Sequence, residues 1–180
     1  MSDMDEPENI MWQGRFIAAK TRGKWEYVGR TRGIHAAVIL AIDESETEPH
    51  VILVDQFRVP LGKRCLELPA GLVGDDSEGE DAGVAAAREL EEETGYHADR
   101  MDNLGEYYSS PGMVSESFTL FRATGLHRVG AGGGVDGEDI TVHRVPLAGI
   151  GLWLEARRAE GYAVDVRLLM LLAATFLCSH

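Results

Sequence analysis

On a helix, Glu89, Glu92 and Glu93 stand at i, i+3 and i+4, so their carboxylates share one face. They belong to the run Arg88-Glu89-Leu90-Glu91-Glu92-Glu93-Thr94-Gly95-Tyr96. Glu91, two residues from both Glu89 and Glu93, points elsewhere. Like charges crowded on one face repel and raise each other's pKa. The arrangement is unfavourable unless a counter-charge sits among them. Hard oxygen donors suit Mg²⁺ or Mn²⁺, which bind through a few carboxylates and keep waters or substrate phosphates. The chemistry on offer is therefore metal-assisted work on a phosphate. Taken alone, the segment is explained more plainly as a solvated charged helix face.

The wider pattern changes that balance. Gly74 is followed by five residues and Glu80, then by seven residues and Arg88-Glu89-Leu90-x-Glu92-Glu93-x-Gly95-Tyr96. Seven fixed residue types at fixed spacing would recur by chance roughly once in 10⁸ start positions, so coincidence is set aside. This stretch resembles the complete Nudix box. Just before it, Leu66-Glu67-Leu68-Pro69-Ala70-Gly71 resembles the entry to that box in Nudix enzymes that hydrolyse ADP-ribose and related nucleoside diphosphate sugars. In those relatives the Gly of Pro-Ala-Gly usually opens the box itself. Here eight residues separate Gly71 from Glu80, a three-residue lengthening after which Gly74 restores the spacing. The resemblance implies Glu89 and Glu93 as metal ligands, with the Ala70 carbonyl completing the shell. It gives Glu92 a further ion or a water on it. Glu80 and Arg88 would pair across the helix start, and Gly74 and Gly95 would shape its ends.

Features outside the box bear on the substrate. In the ADP-ribose branch a Pro lies about 16 residues past the last box Gly, and Pro111 is 16 past Gly95, within Ser109-Ser110-Pro111-Gly112-Met113-x-Ser115-Glu116. Pro111 and Glu116 are thus expected at the substrate. Asp55-Gln56-Phe57-Arg58 resembles the stretch whose Arg contacts the diphosphate, and a guanidinium suits a forked phosphate contact. Glu67 resembles a position touching the substrate's terminal part. Trp25 in Trp25-Glu26-Tyr27-Val28 resembles an aromatic that stacks on the adenine, often from the other subunit of a swapped dimer. A buried core Trp is the competing reading. After the Gly-rich loop Gly130–Gly137, either Glu138 or Asp136 resembles the acid that serves as general base on the attacking water. Loops that close over substrate often carry such residues. The implied activity is pyrophosphohydrolysis of ADP-ribose or a related nucleoside diphosphate sugar. Two alternatives stand beside it: another Nudix substrate, such as a dinucleoside polyphosphate or a nucleoside triphosphate, and a non-catalytic nucleotide sensor.

These residues need elements to position them. Arg15–Arg30 reads as two strands around Thr21-Arg22-Gly23-Lys24, after a frayed acidic tail over residues 1–10. Ala36–Ile42 and Val51–Val59 read as core strands, and Leu66–Leu72 as a short strand running into a loop. Asp81–Thr94 is the clearest helix, with Ala86, Ala87, Leu90 and Thr94 on one face and Gly95 at its C-cap. Leu104–Tyr108, Phe118–Thr124 and Ile140–Val145 read as strands. Leu147–Ala159 and Val164–Leu177 read as helices. Without regular strand–helix alternation the order predicts an α+β fold. The resemblance makes it a Nudix fold, a mixed sheet between helices. It also divides the chain into residues 1–32, a β segment for dimerisation, and a catalytic domain over residues 33–180.

The 180 residues carry a net charge of −13, which disfavours nucleic acid as a partner. Two cysteines are too few for a disulfide framework. The acidic start lacks a leader's apolar run, and Leu168–Cys178 is too short to span a bilayer. The expectation is a cytoplasmic homodimer, off the membrane, acting on a nucleotide with Mg²⁺, or Mn²⁺ in its place.

Overall fold

Alternating apolar residues along one strand account for both layers of the molecule. The computed structural model describes residues 3–31, 35–73, 81–135 and 137–178. Strands β1 (Asn9–Gln13), β2 (Ile17–Arg22) and β3 (Trp25–Arg30) form a small antiparallel sheet. Strands β4 (His35–Asp43), β5 (His50–Arg58), β6 (Lys63–Glu67) and β7 (Ala70–Val73) lead to helix α1 (Ala82–Thr94). Strands β8 (Tyr96–Tyr108), β9 (Ser117–Arg128) and β10 (Thr141–Pro146) follow, then helix α2 (Ile150–Ala159) and the short strand β11 (Ala163–Val164). The chain closes with a 3₁₀ segment, Val166–Leu172, and helix α3 (Ala173–Cys178).

The large sheet runs β11-β6-β5-β4-β9-β8, with β10 on β5 and β7 on β4. It is mixed, since β4–β9 and β11–β6 are parallel and the other pairs antiparallel. Side chains alternate across a strand. Ala37, Ile39 and Ala41 of β4 therefore face α1, packing with Ala86, Leu90 and Phe121. Val38 and Ile42 face the other way, toward Leu154 of α2 and Leu168 and Leu172 of the 3₁₀ segment. The expected α+β sandwich with a small N-terminal β segment is what forms.

Several elements differ from expectation for local reasons. The tail expected to fray contributes Asn9 and Ile10 to β1, which pairs with β2. Ala85 rather than Ala87 is fully buried on α1. The cause is β7, which packs against the helix on the side of Glu89 and Glu93 and turns its buried arc that way. Strand β8 begins at Tyr96, eight residues before Leu104, and pairs along β9. The terminal apolar run is mostly 3₁₀, capped by Asp165, whose side chain accepts from the Arg167 amide. No helix among the described residues is long and apolar enough to cross a membrane.

Candidate active site

Helix α1 starts where Asp81 accepts hydrogen bonds from the amides of Gly83 and Val84, satisfying two orphan donors. It ends at Gly95, whose left-handed backbone (φ +72°) returns its N–H to the Glu91 carbonyl. Between these caps the spacing does what the sequence implies. Glu89, Glu92 and Glu93 line a cleft of about 730 Å³, while Glu91 is exposed and meets His97 instead. Strand β7 forms the facing wall. The Ala70 amide donates to Glu93 Oε2 at 3.0 Å. At Gly71 a Cβ would lie 2.0 Å from the Glu89 Cδ, so only glycine lets that carboxylate in. Arg88 donates to Glu92 (3.0 Å) and lies 3.1 Å from Glu89. Gly74, Glu80 and Asp136 lie outside the described residues, and so does the lengthened loop before the box.

The opposite wall comes from the β5–β6 hairpin. Arg58 forks onto Glu67 through two hydrogen bonds of 2.6 Å. Glu67 is 3% exposed, so its charge needs that partner. Arg167, from the 3₁₀ segment, reaches the same carboxylate at 3.5 Å and forks onto Asp165 at 2.6 and 2.8 Å. Burial works against the Asp165 charge, but the Arg167 guanidinium outweighs it and holds the carboxyl below its usual range. At the rim Arg30 of β3 pairs with Glu116. The loop bearing Glu116 is bound to that strand, with the Val28 amide donating to Met113 O and the Ser115 amide to Val28 O, each at 2.9 Å. Glu138 enters from the Gly-rich loop.

Of the expected site residues, the cleft brings together Arg58, Glu67, Ala70, Arg88, Glu89, Glu92, Glu93, Glu116 and Glu138. Two stand apart from it. Pro111 heads an exposed turn on the 109–116 loop. Trp25 is 50% exposed, so it is no core residue, and its indole donates to Asp3. Sequence reasoning missed Arg30, Asp165 and Arg167. The signal for the last two was a charged pair interrupting the apolar run Ala163–Leu172. Arg30 gave none beyond its place at a strand end.

Seven carboxylates line the cleft against four guanidiniums. Among the described residues no basic side chain pairs with Glu93 or Glu138. Burial pushes the Glu93 carboxyl up to about 8 against the Ala70 hydrogen bond, and Glu89, Glu138 and Glu67 add to the rise. Burial also raises Glu89; Arg88 opposes this, while Glu92 and Glu138 reinforce it. Carboxylates that resist ionisation in this way fit a hard divalent cation, which would supply the missing charge. Among the described residues no three acids, histidines or cysteines are gathered tightly enough to hold an ion as they stand. Glu92 accepts from Arg88 and Glu93 from the Ala70 amide.

Comparison with known proteins agrees with this architecture. A family model described as "NUDIX domain" matches residues 33–160. An uncharacterised Nudix hydrolase of Schizosaccharomyces pombe is 34% identical over 178 residues, 89% of this chain and 80% of that protein. A protein named ADP-ribose pyrophosphatase from Bacillus subtilis is 40% identical over 91 residues, 51% of this chain and 46% of its own length. The mouse protein named ADP-sugar pyrophosphatase is 49% identical over 82 residues, 43% of this chain and 36% of its own. A solved structure titled as an ADP compounds hydrolase shares the fold, at a TM-score of 0.68 and 22% identity over 94% of this chain and 91% of that one. Members of the family generally use divalent metals. The chain belongs to the Nudix family of hydrolases.

Proposed function

We propose that this protein is a Mg²⁺-dependent pyrophosphohydrolase that cleaves the diphosphate link of ADP-ribose, giving AMP and ribose 5-phosphate, or of a related nucleoside diphosphate sugar, giving the corresponding nucleoside monophosphate and sugar phosphate. One observation carries the reading: the acidic face of α1, the Arg58–Glu67 fork and Glu138 converge on a single cleft. The names of the relatives point to the same substrate class.

When bound, a divalent cation neutralises phosphate oxygens and acidifies water. Glu89 and Glu93, with the Ala70 carbonyl, would hold it, and Glu92 would hold a second. Mn²⁺ suits the same oxygen donors. Arg58 is already held in orientation by Glu67, so it offers its remaining donors to a diphosphate without ordering itself first. Glu138 takes the proton of the attacking water as general base, with Asp136 the second candidate on that loop. Arg30 and Glu116 close the rim beside the substrate. Arg88, Glu80, Gly74 and Gly95 keep the helix and its loop in shape.

The N-terminal residues, 1–32, are read as the dimerisation part. Ile10, Met11 and Trp12 of β1, and Phe16 in the turn that follows it, are more than half exposed, an apolar surface that a second copy would cover. Trp25 would then serve the partner's cleft, stacking on the base. The remaining expectation is a cytoplasmic setting.

The test is a product screen with Mg²⁺ over ADP-ribose, sugar nucleotides, dinucleoside polyphosphates and nucleoside triphosphates. ADP-ribose or a nucleoside diphosphate sugar is expected to give the highest kcat/KM. Preference for a triphosphate would overturn the substrate assignment and leave the metal site standing.

A further inference from the structure

We propose that Arg64 is a positioning residue for Glu138, fixing the far end of the acid's loop to the central sheet. The inference rests on the reading of Glu138 as general base. The described residues of that loop, 129–135 and 137–140, are tied at the near end to the helix that carries Glu89 and Glu93. The amides of Val129 and Gly130 donate to the Gly95 carbonyl (2.8 and 3.1 Å), that of Gly133 to Glu93 O (2.8 Å) and that of Gly134 to Glu92 O (3.0 Å). These carbonyls belong to the last turn of α1 and its cap, which would otherwise lack partners.

The far end is held differently. Strand β10 begins at Thr141, paired with Asp55 of β5. Arg64, on the neighbouring β6, extends that anchorage back to Asp139. Its Nη2 donates to the Asp139 carbonyl (3.0 Å) and to Thr141 Oγ1 (3.1 Å), and its Nη1 to Asp139 Oδ2 (2.6 Å). Glu138 is the next residue, about 3.8 Å away along the backbone. Its own contacts, with the Val135 amide and carbonyl, lie within the loop and travel with it.

Arg64 is itself fixed from behind. Its Nε donates to Asp55 Oδ1 and its Nη2 to the Asp55 carbonyl. Asp55 is 1% exposed, and its other oxygen lies 2.5 Å from His143 Nε2. The His143 ring packs edge-on against Trp153, centroids 5.2 Å apart. A buried carboxylate, an imidazole and an indole thus hold one guanidinium in place. None of the proposed substrate or metal contacts uses this network. The Asp139 carboxylate is 81% exposed, and an exposed ion pair contributes little. The hold therefore comes from the backbone carbonyl and the Thr141 hydroxyl. A forked guanidinium reaches Asp55, Asp139 and Thr141 at once, which an ammonium does not.

The experiment compares R64Q, R64K, D139A, E138Q and R64Q/E138Q by steady-state kinetics on ADP-ribose with Mg²⁺, and follows amide exchange at residues 137–141. R64Q takes the guanidinium from the buried Asp55 and leaves it His143 alone, so D55N/R64Q is carried alongside as a variant without that carboxylate. Displacing a reacting group by an ångström costs up to about 100-fold. R64Q and D55N/R64Q are expected to lower kcat about 10- to 100-fold with KM little changed, and to speed exchange at 137–141. R64K should not rescue, and D139A should keep most of the activity. In the E138Q background R64Q should cost nothing more, because a positioning residue acts through the group it positions. A merely structural role would give the same fractional loss in both backgrounds. Wild-type kcat in R64Q beside a strongly slowed E138Q overturns the anchor alone, as does unchanged exchange. Full activity in E138Q overturns the general-base reading, and the anchor with it.

Discussion

Glu93 is 5% exposed, has an amide as its hydrogen-bond donor and faces three other carboxyl groups. Burial and those neighbours push its carboxyl from an ordinary 4.5 up to about 8 in the folded state. The folded state therefore binds the proton more tightly than the unfolded one, and stability follows that difference. In chelator, the contribution from Glu93 is fully present below pH 4.5 and is lost as pH rises through 8. A divalent cation removes the slope by holding the charged form. Melting temperatures across pH 5 to 9 in EDTA should fall with rising pH for the wild type and much less for E93Q, which should be the more stable protein near pH 8. An equal slope in E93Q would contradict the assignment. Glu89, Glu92 and Glu93 were legible in the sequence because helix geometry gives them a common face and the spacing of the box around them sets that face apart from an ordinary charged surface. Arg30 and Arg167 were not, because they reach the cleft only through tertiary packing, at a strand end and on a 3₁₀ turn.

At the scale of elements, the end of α1 and the loop after β9 form one unit. Gly95 caps the helix and its carbonyl receives the loop's first two amides. A Cβ there would lie 2.4 Å from the Gly130 carbonyl oxygen, on a backbone at φ +72°. G95A should therefore cost about 1–3 kcal/mol in strain, and it should also displace Glu138. Urea unfolding checks the first effect. The second predicts a kcat loss larger than any loss of Mg²⁺ affinity. Wild-type stability in G95A would contradict the cap and the docking together. The helix and its C-cap could be read from the chain because the box spacing and Gly95 are local signals, while Asp81, counted there as the first helical residue, is its N-cap. The long strand β8 could not, since Asp99, Arg100, Asp102 and Asn103 make its first half look like a loop. Its pairing with β9 overrides that composition. The 3₁₀ segment read as a helix because an apolar run does not reveal its own pitch.

The whole molecule concentrates part of its −13 net charge on one cleft, where carboxylates outnumber guanidiniums. An anionic diphosphate is repelled by such a surface until cations arrive. In the proposed function, phosphate chemistry therefore depends on ions held by the acidic face of α1. The direct measurement is phosphorus NMR of ADP-ribose turnover by wild type and E93Q, each with Mg²⁺ and with excess EDTA. The wild type with Mg²⁺ should release AMP and ribose 5-phosphate in equal amounts, and the other three samples should release almost none. Equal turnover by E93Q, or turnover by the wild type in EDTA, would contradict it.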